Sequence, residues 1–104
     1  MVSTTALYKI NKEELLYVES LLDSYLEGFS QGFSQELAII DSCYNSDILQ
    51  KELLESFKGS FTYDEESKIA IFYLESSHKF INQEMIEKLI KANNKIFGRY
   101  GVLL

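Results

Sequence analysis

The chain has 104 residues, a formal net charge of −6, and 46% apolar and 25% charged residues, the profile of one ordinary globular domain spanning residues 1–104 and not of a disordered chain. An acidic balance argues against general nucleic-acid binding and against docking on anionic membranes, both of which need a basic surface. One cysteine (Cys43) excludes an intramolecular disulfide. With one histidine (His78), one arginine (Arg99), no tryptophan and no proline, few of the groups that catalytic and metal sites combine are present.

The start of the chain, Met1 to Thr5, carries no basic segment followed by a long apolar run. No stretch approaches the roughly 20 apolar residues of a spanning helix. The expectation is a cytoplasmic protein. Frequent Lys, Ile, Phe, Tyr and Asn with scarce Arg, Ala, Gly and Pro is the bias of AT-rich coding, as in low-GC bacteria and their phages.

In chain order, Thr5-Ala6-Leu7-Tyr8-Lys9-Ile10 reads as a strand. Asn11 is placed to cap a helix, with Glu14 at the capping-box position. Leu15, Val18, Leu22, Tyr25 and Phe29 then recur at helical spacing. The stripe continues through Phe33, Leu37, Ile40 and Tyr44, across the tandem repeat Gly28-Phe29-Ser30-Gln31 and Gly32-Phe33-Ser34-Gln35. Each glycine costs a helix about 1 kcal/mol relative to alanine, so a bend near residues 28–34 is favoured over one long helix. The repeat lacks the Gly-Lys-Ser/Thr ending of a phosphate loop.

Ser46 reads as the cap of a helix over Asp47 to Phe57, with Ile48, Leu49, Leu53 and Phe57 on its buried side and Gly59 closing it. Phe61-Thr62-Tyr63 and Ile69-Ala70-Ile71-Phe72-Tyr73-Leu74 read as two strands joined by Asp64-Glu65-Glu66-Ser67-Lys68. The second strand is apolar on both faces, which predicts helices on one side and a partner on the other. Asn82 caps a last helix with Met85, Ile86, Leu89, Ile90, Ile96 and Phe97 as its apolar side. Gly98, Tyr100, Gly101 and Val102-Leu103-Leu104 follow. The predicted class is α+β: amphipathic helices packed on a small antiparallel β-hairpin sheet, with a C-terminal helix. A winged helix, with three helices before the hairpin, is the architectural alternative. Its recognition helix (Asp47, Glu52, Glu55) and wing tip (Asp64 to Glu66) would have the wrong charge for DNA.

Charge is segregated. Residues 1–78 carry five basic and fourteen acidic side chains, and residues 79–104 carry five basic and two acidic. Glu19, Asp23 and Glu27, four apart, form an acidic ridge. Lys88, Lys91, Lys95 and Arg99 form a basic one. Acidic ridges are most often solvated faces, and like charges at this spacing cost a helix a few tenths of a kcal/mol per pair. The functional alternative is a docking face that steers a basic partner.

Other chemistry is thinly supported. A Cys43–His78 nucleophile pair oriented by Asp41 can be written down, but Cys43 reads as a buried, inert thiol. His78 with Glu75 lacks the further ligands of a zinc site, and Asp64-Glu65-Glu66 lacks the pattern of a calcium loop. No cofactor or metal is expected. The sequence points to a small acidic protein-binding module without enzymatic activity, an inhibitor or antidote that occludes a basic surface of an enzyme or nucleic-acid-binding effector. Its expected contact residues are Glu19, Asp23 and Glu27 with Asp64, Glu65 and Glu66. A homodimeric structural or adaptor protein is the alternative, and a Cys/His enzyme is a distant third.

Overall fold

The computed structural model describes the backbone of residues 1–97 and 101–103 and the side chains of residues 1–92. Strand β1 (Val2–Ile10) leads into helix α1 (Lys12–Ile40), then helix α2 (Ser46–Ser56), the hairpin β2 (Phe57–Asp64) and β3 (Ile69–Ser76), helix α3 (Gln83–Phe97) and a short β4 (Gly101–Leu103). The strands form one antiparallel sheet in the order β2-β3-β1-β4. The class is α+β, with the helices packed on the sheet.

Alternation decides which sheet face is covered. Ala6, Tyr8 and Ile10 of β1 and Ala70, Phe72 and Leu74 of β3 are buried beneath Leu15, Val18, Leu22 and Leu26 of α1, Leu49 and Leu53 of α2, and Ile86, Leu89 and Ile90 of α3. The opposite face is uncovered. Leu7 and Ile71, paired across β1 and β3, are each 41% exposed, among Thr5, Thr62 and Tyr73. Helices cover one side of β3 as expected, and the face expected to meet a partner is the exposed one.

Residues 12–40 form a single helix of 29 residues, not two meeting at a bend. At 1.5 Å per residue it is about 43 Å long, and it sets the molecule's 51 Å long axis. Gly28 and Gly32 lie on its exposed side, where an added Cβ would meet nothing within 4 Å. Its buried row runs Leu22, Leu26, Ser30 and Ser34. Phe29 and Phe33 stack beside that row at 5.6 Å, and Phe29 meets the edge of Phe57 at 6.0 Å. With α2 folded against α1, these tertiary contacts offset the helix-breaking tendency of the glycines. Because two helices, not three, precede the hairpin and β1 lies inside the sheet, the winged-helix alternative is not formed.

Helix ends also differ from expectation. Asn11 occupies the cap position of α1 without a side-chain capping bond. The cap of α2 is Asn45, one residue before Ser46, and its Oδ1 accepts from the amides of Asp47 (3.0 Å) and Ile48 (3.2 Å). Gly59 does not close α2. The helix passes directly into β2 at Phe57, and Gly59 lies within the strand, where a Cβ would come within 3.3 Å of the Phe72 ring. Asn82 caps α3 as expected, accepting from the Met85 amide at 2.9 Å. The expected apolar roles of Ile96, Phe97, Tyr100 and Val102 to Leu104 lie outside the described side chains.

Candidate docking groove

Helix α1 crosses the covered sheet face antiparallel to β2. Lys12 meets Glu65 at one end, the Leu22 side chain lies against Gly59, and Phe29 meets Phe57 toward the other. Strand β2 is one of the sheet's two edge strands. Between it and α1 lies a groove of about 540 Å³ whose apolar lining comes from Leu22, Leu26, Leu54, Phe57 and Phe61, with Gly59 and Ser60 along the strand. Phe61 stacks on Phe72 at 4.7 Å and 17°, which fixes that wall.

Glu19, Asp23 and Glu27 line the same groove. The i, i+4 spacing aligns them along α1 just outside Leu22 and Leu26. Among the described residues, the ion pairs are Lys12–Glu65 and Lys88–Glu84, so none of the three groove carboxylates is neutralised by a cation. The sequence located this row but not the apolar wall. Leu54, Phe57, Gly59 and Phe61 come from the α2–β2 junction, distant in sequence; the sequence assigns Phe57, Gly59 and Phe61 to local elements, but nothing in it places them beside the carboxylate row.

Asp64, Glu65 and Glu66 are not in the groove. They occupy the β2–β3 turn, where Lys68 adopts φ 57°. Ser67 donates to Asp64 at 2.6 Å, and this hydrogen bond is the main cause that holds the Asp64 carboxyl below its ordinary value. Glu65 is held low chiefly by its hydrogen bond from Lys12, then by that ammonium's charge. The six acidic residues thus form two separate groups. On α3, Lys88 pairs with Glu84 at 3.1 Å and Lys91 is exposed, while the side chains of Lys95 and Arg99 lie outside the described set.

The Cys43–His78–Asp41 arrangement is not assembled. Cys43 is exposed, not buried, in the turn after α1. Its amide donates to Asp41 Oδ1 at 2.9 Å, and hydrogen bonds from Cys43, backbone first and then thiol, hold Asp41 below the usual carboxyl range. The His78 ring is largely buried and engaged elsewhere: Nδ1 accepts from the Phe80 amide at 3.1 Å, and Nε2 lies 3.5 Å from Glu52. Nearby, the Ser56 and Ser76 hydroxyls meet at 2.9 Å, and Ser76 accepts from the His78 amide. These contacts tie α2 to the strand-to-helix connection. Among the described residues, no group of three His, Cys, Asp or Glu side chains is placed to hold a metal ion, and no helix is long and apolar enough to cross a membrane.

No family model, curated protein or solved structure matches the chain.

Proposed function

We propose that this protein is a protein-binding module without enzymatic activity that docks a basic surface of a partner in the α1–β2 groove, acting as an inhibitor or antidote of a nuclease or nucleic-acid-binding effector. The observation that carries this reading is the placement of Glu19, Asp23 and Glu27, unneutralised, along one apolar-floored groove. Apolar contact supplies affinity in such an interface, while the charge row steers encounter and rejects acidic surfaces. An acidic face that covers a basic one also blocks the cations with which an effector grips phosphate.

The test compares three immobilised proteins: wild type, E19K/D23K/E27K, and D64K/E65K/E66K. A basic protein captured from a host extract by wild type should be lost by the groove variant and kept by the turn variant. Its association rate should fall as salt rises, because exposed charges are screened beyond roughly 8–10 Å. Equal capture by all three proteins refutes the reading. The uncovered Leu7 and Ile71 pair supports a second reading, self-association through the open sheet face. A monomeric mass by light scattering at tens of micromolar removes it.

A further inference from the structure

We infer that the occupant of the groove is a basic amphipathic helix of the partner, with cations at i, i+4 and i+8 against Glu19, Asp23 and Glu27 and an apolar stripe beside them against Leu54 and Phe57. The inference rests on the docking reading above and specifies the form of the partner.

The groove has two chemically different walls. On the α1 side stand the three carboxylates, four residues apart, with Asp23 and Glu27 exposed. On the other side are Leu54, 37% exposed near the end of α2, and Phe57, half-buried where α2 passes into β2. Phe57 is held by its edge contact with Phe29 at 6.0 Å. An occupant must therefore offer cations to one wall and apolar side chains to the other along the same length. The apolar wall gains most from being covered, because Leu54 is a large hydrophobic side chain left in water.

An extended segment meets that demand poorly. Alternate side chains of a strand point to opposite faces, so only every second residue turns into the groove, and each such position serves one wall or the other. A helix carries neighbouring stripes. Residues i, i+4 and i+8 lie about 100° around the axis from i+1, i+5 and i+9, so one stripe meets the carboxylates while the next meets Leu54 and Phe57. The spacing agrees as well. Four residues rise about 6 Å in either helix, so a cation row keeps step with the carboxylate row from Glu19 to Glu27, about 12 Å in all. About three turns of partner helix cover that length. This is the helix-in-groove mode of recognition, in which apolar anchors supply affinity and charge supplies orientation. The basic helix of a second copy, α3, is a poor occupant, because Ile86, Leu89 and Ile90 of its apolar stripe are buried in its own core.

The test uses capped peptides on the full-length protein. The probe is four repeats of Lys-Leu-Ala-Gln, which places lysine and leucine on neighbouring stripes. It is compared with the same peptide carrying proline at a central alanine, alanine in place of leucine, or glutamate in place of lysine. Fluorescence anisotropy reads affinity, and the Cα chemical shifts of labelled peptide read its conformation. The probe should bind and become helical on the protein. Central proline should weaken binding about tenfold or more, because it breaks the helix. The alanine peptide should bind more weakly, Leu54→Ser should weaken the probe, and the glutamate peptide should not bind. No binding of the probe, a bound probe that is not helical, or equal binding of the proline and parent peptides overturns the helix. Equal binding of the alanine and parent peptides overturns the apolar stripe. If the proline peptide binds as well as its parent and E19K/D23K/E27K loses both, charge docking stands without a helix. If that variant binds the parent as tightly as wild type, the docking reading itself fails.

Discussion

Asp23→Asn should make the protein more stable while weakening its partner binding. Asp23 is the middle of the row and is exposed, with Glu19 four residues before it and Glu27 four after. Each like-charge pair at this spacing costs about 0.2–0.5 kcal/mol, so removing both should add about 0.4–1 kcal/mol. Competing terms are small. Asparagine matches aspartate in shape and nearly in helix propensity. The position lies well inside a 29-residue helix, beyond the terminal turns where the macrodipole acts. The gain is then electrostatic, and in 1 M salt, where the screening length is about 3 Å, most of it should vanish. Urea unfolding at low and high salt with an unchanged m-value measures this directly. Glu19→Gln removes only one pair and should gain about half as much. No gain at low salt, or a gain that survives high salt, would refute the claim that these carboxylates are held in mutual repulsion.

Gly28→Ala and Gly32→Ala should each stabilise by about 1 kcal/mol in urea unfolding, because both are exposed interior helix positions with open space for a Cβ; a bent helix would lose stability instead. Ser30→Ala should stabilise by about 1–2 kcal/mol in the same assay, since the Ser30 hydroxyl is fully buried and without a hydrogen-bond partner among the described residues. Burial pushes the Tyr8 phenol up to about 12 from its ordinary 10, so the folded state keeps the proton after the unfolded chain has lost it. Stability from this group is complete below pH 10 and is lost as pH rises from 10 to 12, by about 2–3 kcal/mol at 1.36 kcal/mol per unit. Unfolding followed from pH 9 to 12 should show that alkaline limb, and Tyr8→Phe should flatten it, leaving the smaller contribution of Tyr25, which burial also raises.

Period and capping made most elements legible. β-branched and aromatic content marked the hairpin strands, the 3.6-residue stripe marked α1, and Asn82 marked the start of α3. What failed depended on contacts between elements distant in sequence. The glycine repeat argued for a break on local propensity, and α2 lying along α1 overruled it. Phe57 continues the helical spacing of Leu49 and Leu53, so β2 was shortened at its start. In the fold, pairing with Ser76 and Glu75 draws Phe57 and Lys58 into the sheet. The two apolar faces of β3 could not be ranked from sequence, because nothing local says which face a helix will cover.

The candidate site divides in the same way. The carboxylate row was legible because i, i+4 spacing alone aligns it. The groove was not, since its other wall is an edge strand identified only once the sheet order is known. That order also gives the row a second consequence. An unpaired edge is a liability in any sheet, and proteins guard such edges with charge. Strand β2 carries no proline. Three carboxylates line the groove beside it. Two copies meeting edge to edge along β2 would bring two such carboxylate rows, six like charges, toward each other. A basic partner in the groove would neutralise three. On the proposed reading, the row would discriminate by sign: the charge that attracts a basic partner would repel another copy of the chain. On this argument E19K/D23K/E27K merely replaces one like-charge row by another and should keep the edge free of self-pairing. The neutral variant E19Q/D23N/E27Q removes the guard. It should show concentration-dependent association by light scattering where wild type does not. A neutral variant as monomeric as wild type would show that the row does not protect the edge.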